Sequence, residues 1–117
     1  MARNQKVVAV LTTVTGAAQA RKLARAIVAA RLAACVQTFP IHSTYWWQGK
    51  IESATERLAV AKTDEKLAPR LMRFIRKHHP YQLPEIVVVP LAGGLKEYLA
   101  WIRQETCGGT RRSRCRR

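Results

Sequence analysis

The densest cluster of reactive side chains is Lys77-His78-His79-Pro80-Tyr81. Two neutral imidazoles suit a borderline metal such as copper, zinc or nickel. Adjacent residues on a helix point about 100° apart, so His78 and His79 chelate one ion only if the chain leaves helical geometry. Pro80 gives it a reason to do so, because a proline biases its predecessor out of the helical region. A further ligand is still required, either Glu85 or a residue from another subunit. The plainer reading of the same residues is a pair of helix-end histidines facing the C-terminal carbonyls.

Two other groups stand out. In the run from Lys50 to Thr63, even positions read Glu52, Ala54, Glu56, Leu58, Val60 and Lys62. Strand side chains alternate between faces, so Glu56 and Lys62 share a face with Leu58 and Val60. A charge on an apolar face is paired, lines a site, or lies at a frayed end in water. Tyr45-Trp46-Trp47 sets three aromatics in a row. Neighbours point to opposite faces, so they cannot all be buried in one copy's core, and such clusters are typical of subunit contacts. A base-stacking platform is the rival reading, but no basic run flanks them. The sequence contains no nucleophile elbow, phosphate-binding loop, dinucleotide fingerprint or zinc-protease motif. No carboxylate pair stands out either, so the expectation is a protein that is not an enzyme.

These side chains must be held by a short series of elements. Lys6 to Thr13 is nearly all apolar and reads as a central strand covered on both faces. Ala17 to Ala34 repeats apolar residues at three and four spacing, with Arg21, Lys22, Arg25 and Arg31 on the other side, and reads as a helix. Cys35 to Trp47 is a strand in which Pro40 marks a bulge, a bend or a sheet edge. Gln48-Gly49 makes a tight reversal into the strand Lys50 to Thr63. Asp64 caps the next helix, which starts near Ala68 and ends by His79. Glu85 to Val89 is a fourth strand, and Leu95 to Glu105 a last helix. The order β-α-β-β-α-β with a terminal helix is the α+β, ferredoxin-like arrangement, an antiparallel sheet with helices on one face. The other face is then a bare apolar patch, which usually marks an interface.

The chain has 117 residues, room for one domain. That domain is expected over 1–105, followed by a disordered arginine-rich tail over 106–117. Apolar residues make up 48% and charged residues 24%, which excludes collagen-like and disordered chains. No apolar run approaches the ~20 residues that span a bilayer, and the polar stretch Met1 to Lys6 does not read as a secretory signal. The formal net charge is +14, and removing the five arginines of the last seven residues leaves +9. A solvated basic surface accounts for this excess; nucleic-acid binding through the tail is a third-ranked alternative. Cysteines at 35, 107 and 115 match no zinc spacing and no disulfide framework, which suggests a reducing, cytoplasmic compartment.

Several of these residues occur together in a known pattern. Thr12-Thr13, Leu32-Ala33-Ala34-Cys35-Val36, Ser43-x-Tyr45-x-Trp47-x-Gly49-Lys50, Lys62-Thr63, His78-His79-Pro80-Tyr81-x-x-Pro84-Glu85 and Tyr98-Leu99-x-Trp101 resemble the CutA divalent-cation tolerance proteins. The resemblance runs in order from Lys6 to Glu105. It implies a ferredoxin-like fold, a tight homotrimer similar in architecture to PII signalling proteins, and a cytoplasmic role in tolerance to copper and other divalent cations. It implies that Tyr45, Trp46 and Trp47 lie at the trimer contact, and that Glu56, Lys62, Tyr81, Glu85 and Trp101 line a cleft between subunits. His78 and His79 match a pair proposed as copper ligands in a bacterial relative, whose third proposed ligand, a cysteine, is Thr12 here. A hydroxyl is a poor ligand for soft copper, so a site built on Thr12 is weaker or selects a harder ion. The alternative implied by the PII likeness is a sensor of a small anion in the inter-subunit clefts.

Overall fold

The computed structural model describes residues 6–106. Strands β1 (Val7–Val14), β2 (Cys35–Trp47), β3 (Lys50–Asp64) and β4 (Ile86–Pro90) alternate with helices α1 (Ala17–Ala29), α2 (Ala68–His78) and α3 (Lys96–Gln104). The strands form one antiparallel sheet in the order β2-β3-β1-β4. This is the expected α+β arrangement. The apolar β1 lies between two neighbours, and Pro40 lies on β2 at a sheet edge, where a missing donor costs no ladder bond. Pairing of β2 with β3 runs without a bulge from Cys35↔Lys62 to Trp47↔Lys50. Gln48 and Gly49 close that hairpin with φ of 49° and 81°, the doubly left-handed turn that matches strand twist.

One sheet face carries Val8, Val10 and Val14 of β1 and Ala61 of β3, and these pack with Leu23 and Ile27 of α1 and Leu71 and Ile75 of α2 into the core. Lys62, which alternates with buried Ala61 and Thr63, points to the opposite face, where its Nζ lies 3.4 Å from the Tyr98 hydroxyl of α3. The sheet is therefore not bare on that side, as the sequence suggested. α3 packs on β3 and β1 and shields Val7 and Ala9. Beyond α3 the second face stays open, with Phe39 and Val87 each 45% exposed and Val89 40%.

α1 stops at Ala29, five residues before the expected end. Arg31 N–H donates to the Val28 carbonyl at 3.0 Å and Leu32 N–H to the Ile27 carbonyl at 3.2 Å. This paired closure needs a left-handed residue between them, and Arg31 takes that place at φ 62°. No glycine announces it. The Arg31 guanidinium instead bonds Glu105 Oε1 at 2.7 Å and the Glu105 carbonyl at 3.1 Å, tying the end of α1 to the end of α3. Asp64 caps the single turn Glu65–Leu67 by accepting from Lys66 N–H at 2.9 Å, and α2 follows from Ala68 with Pro69 in its first turn. Thr106, placed in the tail by the sequence reading, is buried beyond α3. The arginine-rich segment, with Cys107 and Cys115, lies outside the described residues.

Arg31 generates a test. A left-handed conformation costs an L-residue about 1 kcal/mol more than glycine. Both Arg31→Ala and Arg31→Gly lose the Glu105 pair, but only alanine keeps the conformational cost. Urea unfolding is expected to leave the glycine variant more stable than the alanine variant by about 1 kcal/mol. Equal stabilities, or the reverse order, contradict this account of the helix end.

Candidate functional site

The long β2–β3 hairpin extends past the end of β1, whose last residue pairs Val14↔Arg57. The next residue of β3, Glu56, faces the open side of the sheet there and is only 9% exposed. A buried carboxylate needs hydrogen-bond donors, and Glu56 has two. Ser43 Oγ donates to Oε1 at 2.8 Å, and Tyr81 Oη donates to Oε2 at 3.0 Å. Ser43 comes from the hairpin register: Glu56 pairs with Ile41, so Ser43, two residues on, is its diagonal neighbour on the same face. Tyr81 comes from the segment after α2. Its hydroxyl gives its proton to Glu56 and so accepts from Thr15 Oγ1 at 3.2 Å. Burial raises the Tyr81 phenol above its ordinary pKa; the hydrogen bond from Thr15 opposes the rise and the Glu56 carboxylate adds to it.

A cleft of about 830 Å³ opens above these groups. Its walls are the hairpin, including Tyr45, Trp46 and Trp47, and the segment Tyr81 to Glu85. Among the described residues its charged lining is Glu56 and Glu85, with no lysine or arginine. The aromatics expected at a subunit contact thus border the cleft, and Trp46 is 72% exposed.

The expected cleft residues divide into two places. Glu56, Tyr81 and Glu85 come together. Lys62 and Trp101 do not join them. Lys62 sits over the Tyr98 ring, 5.4 Å from its centroid, and Tyr98 stacks on Trp101 at 5.6 Å. Trp101 borders a separate hollow of about 370 Å³ with Arg31 and Glu105.

His78, His79 and Thr12 likewise serve different surroundings. His78 Nδ1 donates to the Phe74 carbonyl at 2.8 Å and its ring lies on Phe74, leaving Nε2 at the exposed end of α2. His79 has left the helix, with ψ of 133°. Its Nε2 lies 2.7 Å from the Thr13 carbonyl, and its Nδ1 accepts from Tyr81 N–H at 3.2 Å. Thr12 is on the helix-facing side of β1, 1% exposed, with no hydrogen-bond partner for Oγ1 among the described residues. Among the described residues, no three His, Cys, Asp or Glu side chains gather as a metal ligand set. Sequence reasoning missed Ser43 and Thr15. The hairpin turn and its two-residue alternation carry the signal for Ser43. Thr15 and Tyr81 are 66 residues apart and nothing local links them.

After burial, the hydroxyl–carboxylate bond adds to the rise in the Tyr81 pKa. Glu56→Gln removes a negative charge and the acceptor that favours the protonated phenol. The variant is expected to release the Tyr81 proton at a lower pH than the parent, read from tyrosinate absorbance against a Tyr81→Phe control. An unchanged titration contradicts the assigned geometry.

Comparison with known proteins agrees with this architecture. The family model described as CutA1 divalent ion tolerance protein matches residues 8–105. The Thermus thermophilus divalent-cation tolerance protein CutA is 44% identical over 98 residues, which cover 83% of this chain and 95% of that protein. Its solved structure superposes with a TM-score of 0.82 at 42% identity, covering 86% of this chain and 98% of that one. The structure of the periplasmic divalent cation tolerance protein CutA from Archaeoglobus fulgidus also gives 0.82, at 35% identity over 85% of this chain and 97% of that one. Human protein CutA is 47% identical over 88 residues, which are 74% of this chain. The matched region spans about half of the curated eukaryotic relatives, 49% of the human protein and 56% of the rice chloroplastic one. None of these names denotes a catalysed reaction. With the family pattern matched across nearly all of the described fold, the chain belongs to the CutA1 divalent ion tolerance family.

Proposed function

We propose that this protein acts in divalent-cation tolerance as a non-enzymatic homotrimer that binds the cation in the cleft above Glu56. The observation that carries this reading is the sign of the cleft. On a chain of net charge +14, the charged side chains lining it are both carboxylates, Glu56 and Glu85. With Tyr81 and Ser43 they offer oxygen donors, which suit a harder divalent ion better than soft copper. Copper binding, if it contributes, falls to the exposed Nε2 of His78. The anionic-ligand alternative would use Lys62, which stands outside the cleft and already contacts Tyr98. The cytoplasm is the compartment we propose, on the strength of the free Cys35 thiol; the periplasmic description belongs to the Archaeoglobus protein.

The trimer rests on the open half of the sheet. Phe39, Val87 and Val89 on that face are large apolar side chains left in water by a single copy, and at the hairpin tip the pair Trp46 and Ile51 is exposed on the opposite face. Large apolar side chains exposed together on one sheet face mark a contact surface. A neighbouring copy laid on it would also wall the cleft.

Isothermal titration tests the cation reading. Zinc, manganese and copper are titrated into the parent, Glu56→Gln and His78→Ala. Glu56→Gln is expected to weaken zinc or manganese by about tenfold or more, with His78→Ala close to the parent for those ions. Parent-like affinity in Glu56→Gln contradicts the cleft. Light scattering of a dilute solution tests assembly: the expected mass is three times the 13.2 kDa of the chain, and a well-folded single copy contradicts it.

A further inference from the structure

The two adjacent histidines have different hydrogen-bonding duties, and those of His79 are complete. The Thr13 carbonyl can only accept, so the nitrogen 2.7 Å from it, Nε2, carries a proton. The Tyr81 backbone N–H can only donate, so the nitrogen 3.2 Å from it, Nδ1, carries a lone pair and no proton. Together these partners require a neutral imidazole protonated on Nε2. Each ring nitrogen is then committed, and no lone pair remains for a metal ion. The ring also meets the Tyr81 ring edge-on, with centroids 4.5 Å apart at 64°.

The position follows from local sequence. α2 ends at His78, and Pro80 holds His79 in extended geometry at φ −95° and ψ 133°. That turns the His79 ring away from the helix and toward the end of β1. Thr13 lies one residue before the last of β1, and two residues further on Thr15 meets the Tyr81 hydroxyl. His79 fastens the backbone of Tyr81, and Thr15 and Glu56 receive its far end at 3.2 and 3.0 Å. His78, by contrast, bonds within its own helix end, Nδ1 to the Phe74 carbonyl.

We propose that His79 is a positioning residue: its Nε2–H tautomer bolts the Tyr81 segment to the end of β1 and so holds the Tyr81 hydroxyl on the Glu56 carboxylate. This deepens the cleft reading and rests on it for the cleft's role, but the contact itself is tested without any cation. His79 acts through Tyr81 and touches no bound ion.

The test uses the full chain, free of metal, with nitrogen-labelled histidine and ring-labelled tyrosine in solution NMR. The parent is expected to show His79 with its proton on Nε2 and a bare Nδ1. His79→Ala is expected to shift the Tyr81 ring signals, and Glu56→Gln to shift the same signals, with the double variant shifting them less than the two changes combined. His79→Gln, which can still donate toward Thr13, and His79→Asn, which can still accept near Tyr81, are expected to shift them less than alanine does. Those two variants also carry the test if the alanine variant does not fold. A proton on Nδ1 overturns the proposal, as do Tyr81 signals that stay at their parent positions in all the His79 variants. Zinc added to the parent separates this inference from the cleft reading. Zinc that binds directly on a His79 nitrogen overturns the positioning role. A parent that binds no zinc overturns the cleft reading, and the Tyr81 signals still decide the role of His79.

Discussion

A carboxylate kept nine-tenths out of water sets the terms for the rest of this molecule. Burying Glu56 without donors would be costly, since a buried charge is tolerated only when it is paired or hydrogen-bonded. Two hydroxyls meet that demand, and each commits a different part of the chain. Ser43 requires the β2–β3 register to be held through the whole hairpin, which the left-handed turn at Gln48-Gly49 secures. Tyr81 requires the segment after α2 to turn back across the end of β1, which Pro80 and His79 secure. Hairpin length, helix end and strand end thus meet at one oxygen pair.

The charge of the molecule is sorted by surface. α1 and α2 carry Arg21, Lys22, Arg25, Arg70, Arg73, Arg76 and Lys77 on exposed positions and contain no acidic residue. Among the described residues, the charged groups of the cleft on the other side of the sheet are carboxylates. Beside the cleft, the open sheet face exposes Phe39, Val87 and Val89. A cation-binding cleft and a self-contact surface are compatible readings of that face because they use neighbouring parts of it: the hairpin tip with its aromatics forms one wall of the cleft and continues into the exposed strand residues.

Much of this was legible in the residue order, and the parts that were not share a cause. Alternation along β3 identified Glu56 and Lys62 as charges on an apolar face, and the Gln48-Gly49 turn fixed the hairpin that carries them. Pro40 and Pro80 each marked a true boundary, an edge strand and a helix end. What escaped depended on contacts between distant segments. α1 stops at Ala29 and closes through a left-handed Arg31 whose side chain meets Glu105 at the last helix end, with no breaker in the local sequence. α3 covers part of the second face, with Ile102 buried and Tyr98 meeting Lys62 there, a docking place that no periodicity within α3 indicates. Within one copy Lys62 and Trp101 lie apart from Glu56, and the cleft that the resemblance implies for all of them is one between subunits. The family pattern also grouped His78 with His79, where hydrogen bonding separates them.

Diffraction from crystals soaked in zinc, recorded at the zinc absorption edge, tests the central claim most directly. The account predicts an anomalous peak in the cleft at bonding distance from the Glu56 carboxylate, about 2.0–2.2 Å. Zinc found at His78 with the cleft empty, or bound by His79, would contradict it.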